Sequence, residues 1–232
     1  MRSRPVVAID GPAGAGKSTV ARGLSARLGY ALVDTGALYR SVALAARRAG
    51  IDWDDADGVT AVAERLVASR SLSLVPDAAK GVRVLMDGAD VSDDIRVADM
   101  SMGASRVSAF AGVRAALLDL QRIAGENGGV VLEGRDIGTV VFPDAEAKFF
   151  LTATPEVRAR RRYDELVARG QAVDYAETLE EVKTRDRKDT MRDISPLRQA
   201  DDAVVIDSTH RTVDQVVEEM ARRVLSLGLG SK

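Results

Sequence analysis

The segment Pro5-Val6-Val7-Ala8-Ile9-Asp10-Gly11-Pro12-Ala13-Gly14-Ala15-Gly16-Lys17-Ser18-Thr19 constrains this chain more than any other. Val6 to Ile9 is continuously apolar and rich in β-branched residues, as in a strand buried on both faces of a parallel sheet. Gly11-x-x-x-x-Gly16-Lys17-Ser18 then satisfies the phosphate-loop pattern in full. A helix is expected directly afterwards, since Val20, Leu24 and Leu28 recur every four residues and Gly29 stands where a helix commonly ends. In that setting the glycines let the backbone wrap an anion, and the helix turns its free N–H groups and positive dipole end towards it. Gly11, Pro12, Ala13, Gly14, Ala15, Gly16, Lys17, Ser18 and Thr19 are thus the expected triphosphate cradle. The small Ala13 and Ala15 leave room for phosphate, Lys17 reaches the β- and γ-phosphates, and the Ser18 hydroxyl ligates Mg²⁺. The alternative is a glycine-rich strand-to-helix turn that holds no ligand.

The same rhythm recurs along the chain. Ala31-Leu32-Val33 ends at Asp34-Thr35 and precedes a helix from about Ala37 to Arg48, closed by Gly50. Further strands are expected at Gly129 to Glu133, Lys148 to Leu151 and Ala203 to Asp207. After the last, Thr212 and Gln215 fit a capping box, and Val213, Val216, Val217, Met220 and Val224 form one apolar stripe. Short apolar strands alternating with amphipathic helices define an α/β chain with a parallel sheet and ligand sites at the strand C-termini. One stretch breaks the pattern: Ser71 to Val75 and Val82 to Met86 partly alternate, are joined by Pro76 to Gly81, and lead into Asp87-Gly88, an antiparallel hairpin or meander. It is read as a small insertion over about 60–100.

Composition narrows the chemistry. With 33 basic and 35 acidic residues among 232, any anion site must be a local arrangement of arginines, and general binding to nucleic acid is not expected. No cysteine and a single histidine, His210, exclude thiol catalysis and make zinc an unsuitable metal, leaving a hard, oxygen-bound ion. No apolar run approaches a membrane span or the core of a signal peptide, so the expectation is a cytoplasmic protein without membrane contact. Asn127 is the only asparagine, which removes the Asn-Lys-x-Asp guanine signature, and there is no Leu-Ser-Gly-Gly-type transporter signature. His210 reads as a surface loop residue, and Trp53 as packing rather than a platform for a base.

What remains is a set of arginines. Asp34-Thr35-Gly36-Ala37-Leu38-Tyr39-Arg40 and Glu133-Gly134-Arg135-Asp136-Ile137-Gly138-Thr139 each place an arginine just past a strand end, on the edge of the sheet that carries the loop. Two guanidinium forks there suit a second phosphorylated substrate. Ion pairs of Arg40 and Arg135 with Asp34, Glu133 or Asp136 are the other reading. Arg158 to Arg162 and Thr184 to Arg192 flank a polar stretch from about Asp164 to Glu181, either a salt-bridged helical pair or a mobile lid. A lid that excludes water and neutralises charge is what the loop's chemistry asks for.

These residues resemble those of the bacterial cytidylate kinases, within the nucleoside monophosphate kinase superfamily. The motifs are Ile9-Asp10-Gly11-Pro12 to Ser18, Asp34 to Arg40, Gly134-Arg135-Asp136-Ile137-Gly138-Thr139-Val140-Val141-Phe142-Pro143, and Arg185-Asp186 to Arg192 followed by Pro196-Leu197, spanning residue 6 to about 208. The resemblance implies an α/β P-loop kinase: a parallel core sheet flanked by helices, a small inserted monophosphate-binding domain with antiparallel strands, and a helical lid. In one kinase unit, the core covers about 1–35, 103–155 and 195–232, the monophosphate-binding domain about 36–102, and the lid about 156–194. It further implies ATP, Mg²⁺ and CMP or dCMP as ligands and a monomer.

Carried over, Arg40, Arg135 and Arg185 would hold the monophosphate, with Lys17, Arg135 and Arg185 catalytic. Ser105, Arg114 and Asp136 would read cytosine, and Asp189 and Arg192 would contact sugar and phosphate. Thr35 and Tyr39 complete the CMP site, Thr35 standing where some members have serine. Arg161 would stack on adenine, with Arg158 and Arg162 near the phosphates. Rival readings are a P-loop kinase for AMP, UMP or shikimate, and a nucleotide-gated binding protein.

Overall fold

The computed structural model describes residues 2–77 and 81–228. Five parallel strands form the central sheet: β1 Val6–Asp10, β2 Ala31–Asp34, β6 Val130–Gly134, β7 Ala147–Thr152 and β8 Val204–Asp207, in the order β2-β6-β1-β7-β8. A second, antiparallel sheet holds β3 Leu72–Asp77, β4 Gly81–Met86 and β5 Ala89–Asp90. The helices are α1 Lys17–Leu28, α2 Thr35–Arg48, α3 Ala56–Ala68, α4 Ala98–Val107, α5 Ala111–Gly125, α6 Pro155–Ala168, α7 Tyr175–Met191 and α8 Val213–Ser226.

β1 is buried along its whole length because it is central and covered on both faces. Val7 and Ile9 face a cluster with Val20 and Leu24 of α1 and Val216, Met220 and Val224 of α8. Val6 and Ala8 face the opposite side, with Leu132, Ile137 and Phe142. This two-sided burial explains the unbroken apolar run and sets Asp10 and the loop after it at the carboxyl edge of the sheet.

A third cluster gathers α2, α3, the antiparallel sheet, α4 and α5, from Ala37 to Leu117. Its packing therefore continues past residue 102, and α3 occupies the start of the expected antiparallel stretch, confining the strands to Leu72–Asp90. The ladder also runs further than expected towards the hairpin tip, pairing Pro76 with Val82 and Asp77 with Gly81. Proline is tolerated there because β3 is an edge strand of its sheet. The rest of the expected connector, residues 78–80, lies outside the described residues.

Two helix starts are instructive. α2 begins at Thr35, ahead of Ala37, because Asp34 caps it: one carboxylate oxygen accepts from the Ala37 amide at 3.0 Å. α8 has the expected capping box of Thr212 and Gln215. Its stripe is shifted from expectation, however: Val216, Met220, Ala221 and Val224 are buried, whereas Val213 in the first turn is exposed. Trp53 donates its indole N–H to the Ala43 carbonyl at 2.8 Å and packs against the third cluster, and His210 is exposed, both as expected.

Candidate active site

The loop between β1 and α1 is shaped by glycine at two points. Gly11 lies at φ +150°, and a Cβ there would come within 2.0 Å of the Leu151 carbonyl on β7. Gly16 adopts the left-handed conformation at φ +91° and serves as the N-cap of α1, with no side chain blocking the free amides. Ala15 is buried, Ser18 and Thr19 are exposed on the first turn, and Lys17 is buried with its Nζ donating to the Pro12 carbonyl at 2.7 Å. The ammonium is thus held against the loop's own backbone.

Glu133, near the end of β6, stands opposite. The Ser18 hydroxyl donates to its Oε2 at 3.0 Å, and the Thr35 hydroxyl donates to its backbone carbonyl at 2.7 Å. Burial raises the Glu133 carboxyl to about 7, helped by Asp34 and opposed by Lys17 and Ser18. Burial first, then the neighbouring Arg135, holds the Lys17 ammonium well below its ordinary value. Hydroxyl and carboxylate oxygens side by side fit a hard divalent cation, but among the described residues no cluster of three or more acidic, histidine or cysteine groups could hold one. An ion there would take its remaining ligands from phosphate and water.

Beyond the lysine lies a group of arginines. Arg40 pairs with Asp34 at 2.7 Å, so that part of the ion-pair reading holds, yet its Nε is buried without a partner. Arg135 pairs not with its strand neighbours but with Asp189 of α7, Nε to Oδ2 at 2.9 Å. Arg185, also on α7, has a buried Nε without a partner, and burial followed by Arg135 lowers its guanidinium to about 10. Arg192 donates its Nε to the Ser195 carbonyl at 2.6 Å and leaves Nη2 buried and unpartnered. Buried donors without acceptors are costly unless a ligand supplies them. Such donors fit an anionic ligand.

On the far side, Arg114 and Asp136 form a buried, hydrogen-bonded ion pair. The Arg114 guanidinium lies 5.4 Å from the centre of the Tyr39 ring, and its Nη1 donates to the Ser108 carbonyl at 3.1 Å. Burial raises the Tyr39 phenol. Ser105 is half-buried on the last turns of α4, and its carbonyl accepts from the Ser108 hydroxyl at 3.2 Å; among the described residues its side chain forms no hydrogen bond with Arg114 or Asp136.

In the helical pair α6–α7, Arg161 lies behind the loop, donating to the Ala15 carbonyl at 3.4 Å and to Ser208 Oγ and O at 3.1 and 2.8 Å. Arg162 pairs with Glu165 on its own helix at 3.1 Å. Arg158 reaches the loop as well, but its donors go to protein acceptors: the Ala13 and Ala153 carbonyls and Asp186.

Two carboxylates escaped the sequence reading as site residues. Glu133 is the acid that closes the otherwise apolar Val130-Val131-Leu132, a visible signal, since it pairs in register with Ile9 just before the loop. Asp10 accepts from the Ile137 and Gly138 amides at 2.8 Å each, and burial raises its carboxyl to about 6. It thereby holds the turn that carries Asp136.

The raised Glu133 carboxyl has a measurable effect in the ligand-free protein. Between about pH 4.5 and 7 the folded chain keeps a proton that the unfolded chain has released, so this group's contribution to stability falls as pH rises. Glu133→Gln removes that titration. Urea unfolding from pH 5 to 8 should show the variant gaining on the natural chain by on the order of 1 to 3 kcal/mol; a gap that stays constant with pH would contradict the assignment.

A nucleotide switch needs only the loop, whereas here Arg135 and Arg185 lie close to the loop's lysine, a cluster of charge that suits a second anion. A full phosphate-loop pattern between β1 and α1 of a parallel sheet, with arginines beside its lysine, is the arrangement of a P-loop protein equipped for phosphoryl transfer. The chain belongs to the cytidylate kinase family, whose sequence pattern matches residues 7–226. It is 52% identical over 224 residues to a cytidylate kinase of Pelotomaculum thermopropionicum, covering 97% of each chain, and 47% identical over 218 residues to that of Pseudomonas aeruginosa PAO1, covering 94% of each. A solved structure of an uncharacterized protein from Eubacterium ventriosum shares the fold at 13% identity, with a TM-score of 0.50 over 96% of this chain and 99% of the other.

Proposed function

We propose that this chain transfers the γ-phosphoryl group of ATP to the phosphate of CMP and dCMP, giving ADP and CDP or dCDP. The observation that carries the reading is the set of buried, unpartnered guanidinium donors of Arg40, Arg185 and Arg192, with Arg185 and Arg135 close enough to the loop lysine to depress its ammonium. The acceptor's phosphate oxygen is already nucleophilic, so neither a covalent intermediate nor a strong base is needed, and catalysis is positioning and charge neutralisation. Arg40, Arg135 and Arg185 hold the monophosphate. Lys17 leaves Pro12 for the β- and γ-phosphates, and Arg161 would cover adenine. Ser18 and Glu133 would hold Mg²⁺, which would supply neutralisation of phosphate charge.

Base choice follows from Arg114 and Asp136. Cytosine offers an amino donor to the carboxylate and N3 and O2 acceptors to the guanidinium, whereas uracil presents O4, an acceptor, to Asp136. Each mismatch leaves a buried group unpaired, worth about 1 to 3 kcal/mol. Tyr39 supports the Arg114 plane, Thr35 and Ser105 border the site, and Asp189 on α7 and Arg192 just past its end approach towards the sugar. All these groups come from one chain, so a monomer suffices. No helix among the described residues is long and apolar enough to cross a membrane. A cytoplasmic location is proposed, because free nucleotides are the substrates.

The test is ADP formation in a coupled assay with ATP and Mg²⁺, offering CMP, dCMP, UMP, AMP, GMP and shikimate side by side. Strong turnover with CMP and dCMP and little with the rest is expected. No acceptor-dependent ADP from any of them would overturn the reading.

A further inference from the structure

We infer that Arg158 and Asp186 form a positioning pair that seats α6 and α7 on the phosphate loop and thereby aims Arg185, without either side chain touching phosphate; this rests on the kinase reading above.

Arg158 is 3% exposed and donates four hydrogen bonds: Nε to the Ala153 carbonyl at 2.9 Å, Nη1 to the Ala13 carbonyl at 3.1 Å and to Asp186 Oδ1 at 2.9 Å, and Nη2 to Asp186 Oδ2 at 2.6 Å. Four of the five N–H groups of a guanidinium are thus committed, in a two-pronged match to one carboxylate. The contrast with Arg185 is informative. Arg185 has a buried Nε without an acceptor, the state of a group awaiting an anion, whereas Arg158 is neutralised in place by Asp186. Its position in the chain, among arginines beside the loop, suggests a phosphate ligand, but its bonding shows a strut.

The strut joins the parts that transfer must align. One end grips the loop at Ala13, next to Gly14, where even a Cβ would lie 3.1 Å from Arg158 Cβ. The other end grips α7 at Asp186, adjacent in sequence to Arg185 and three residues before Asp189, which in turn holds Arg135. Loop lysine and acceptor arginines therefore share one mechanical reference. A misplacement of about 1 Å between them costs on the order of a hundredfold in rate.

The experiment uses the full chain and the variants Asp186→Asn, Asp186→Glu, Arg158→Lys and Arg158→Lys/Asp186→Asn, measuring kcat for acceptor-dependent ADP formation and the Kd of ATP without acceptor. Each of Asp186→Asn and Arg158→Lys should lower kcat by roughly 10- to 100-fold while ATP Kd stays within about threefold. The double variant should be no worse than the poorer single, because one coupling is lost only once. Asp186→Glu should regain part of the Asp186→Asn loss. The inference is overturned if Asp186→Asn loses less than about tenfold, if the two losses multiply in the double variant, or if ATP Kd rises in step with the fall in kcat, the mark of a direct phosphate ligand. Should Arg158→Lys not fold, the Asn and Glu variants at Asp186 decide on the same thresholds. Failure of the kinase reading shows separately, in the natural chain, which would then respond to another acceptor or to none; with none, both fall.

Discussion

Lys17→Ala should abolish phosphoryl transfer, by about a thousandfold or more in kcat, while leaving the fold intact. The lysine is the one cation of the loop itself, buried with its Nζ 2.7 Å from the Pro12 carbonyl. Desolvation and the nearby Arg135 hold its ammonium well below the ordinary value, a standing electrostatic cost that a triphosphate would relieve. Alanine removes the loop's own cation, which would neutralise charge as it moves from the γ-phosphoryl to the ADP leaving group. Stability should change little, because the same substitution removes a buried charge whose one protein acceptor among the described residues is the Pro12 carbonyl and whose nearest opposite charge is a carboxyl that burial raises to about 7. A thermal melt within a few degrees of the natural chain, with less than a few per cent of its turnover, is the expected pair of results. Turnover above that level would remove Lys17 from the chemistry.

How much of this was legible in the chain depends on the distance over which each feature is decided. The loop is local: strand, glycines, lysine and helix follow within Val6 to Leu28, and the structure has them there. The arginines at 40 and 135 were legible as strand-end residues because parallel strands put their carboxyl ends on one edge. Their partners were not. Arg135 passes over the acids beside it in sequence and binds Asp189, 54 residues away, and Arg158 is claimed by Asp186, 28 residues on. Whether a guanidinium is free or spent is decided by tertiary contacts that no local pattern encodes. Glu133 went unnoticed for the opposite reason: it was weighed as a counter-ion for arginines, while the register of β6 against β1 turns it towards Ser18. The exposure of Val213 is a smaller case, in which helical periodicity runs into a first turn that the rest of the chain does not cover.

Arg135→Ala should separate the two substrates. Its Nε is tied to Asp189 at 2.9 Å and its Nη1 to the Gly134 carbonyl at 3.2 Å, which fixes the fork at the end of β6 facing Arg185 and Lys17 rather than the rear of the loop where Arg161 lies. Loss of a charge-assisted, two-pronged phosphate contact in a desolvated site costs about 3 to 5 kcal/mol, so kcat/KM for CMP should fall by roughly 100- to 1,000-fold or more. KM for ATP should stay within about threefold, since the loop amides and Lys17 bind that substrate. Arg135→Lys should recover only part of the loss: a point charge can replace the Coulomb attraction but neither both prongs nor the tie to Asp189 that keeps them aimed. Steady-state kinetics with each substrate varied in turn decides the matter. Unchanged CMP KM together with unchanged kcat in Arg135→Ala would take this arginine out of the acceptor site and leave its bond to Asp189 as a purely structural tie between β6 and α7.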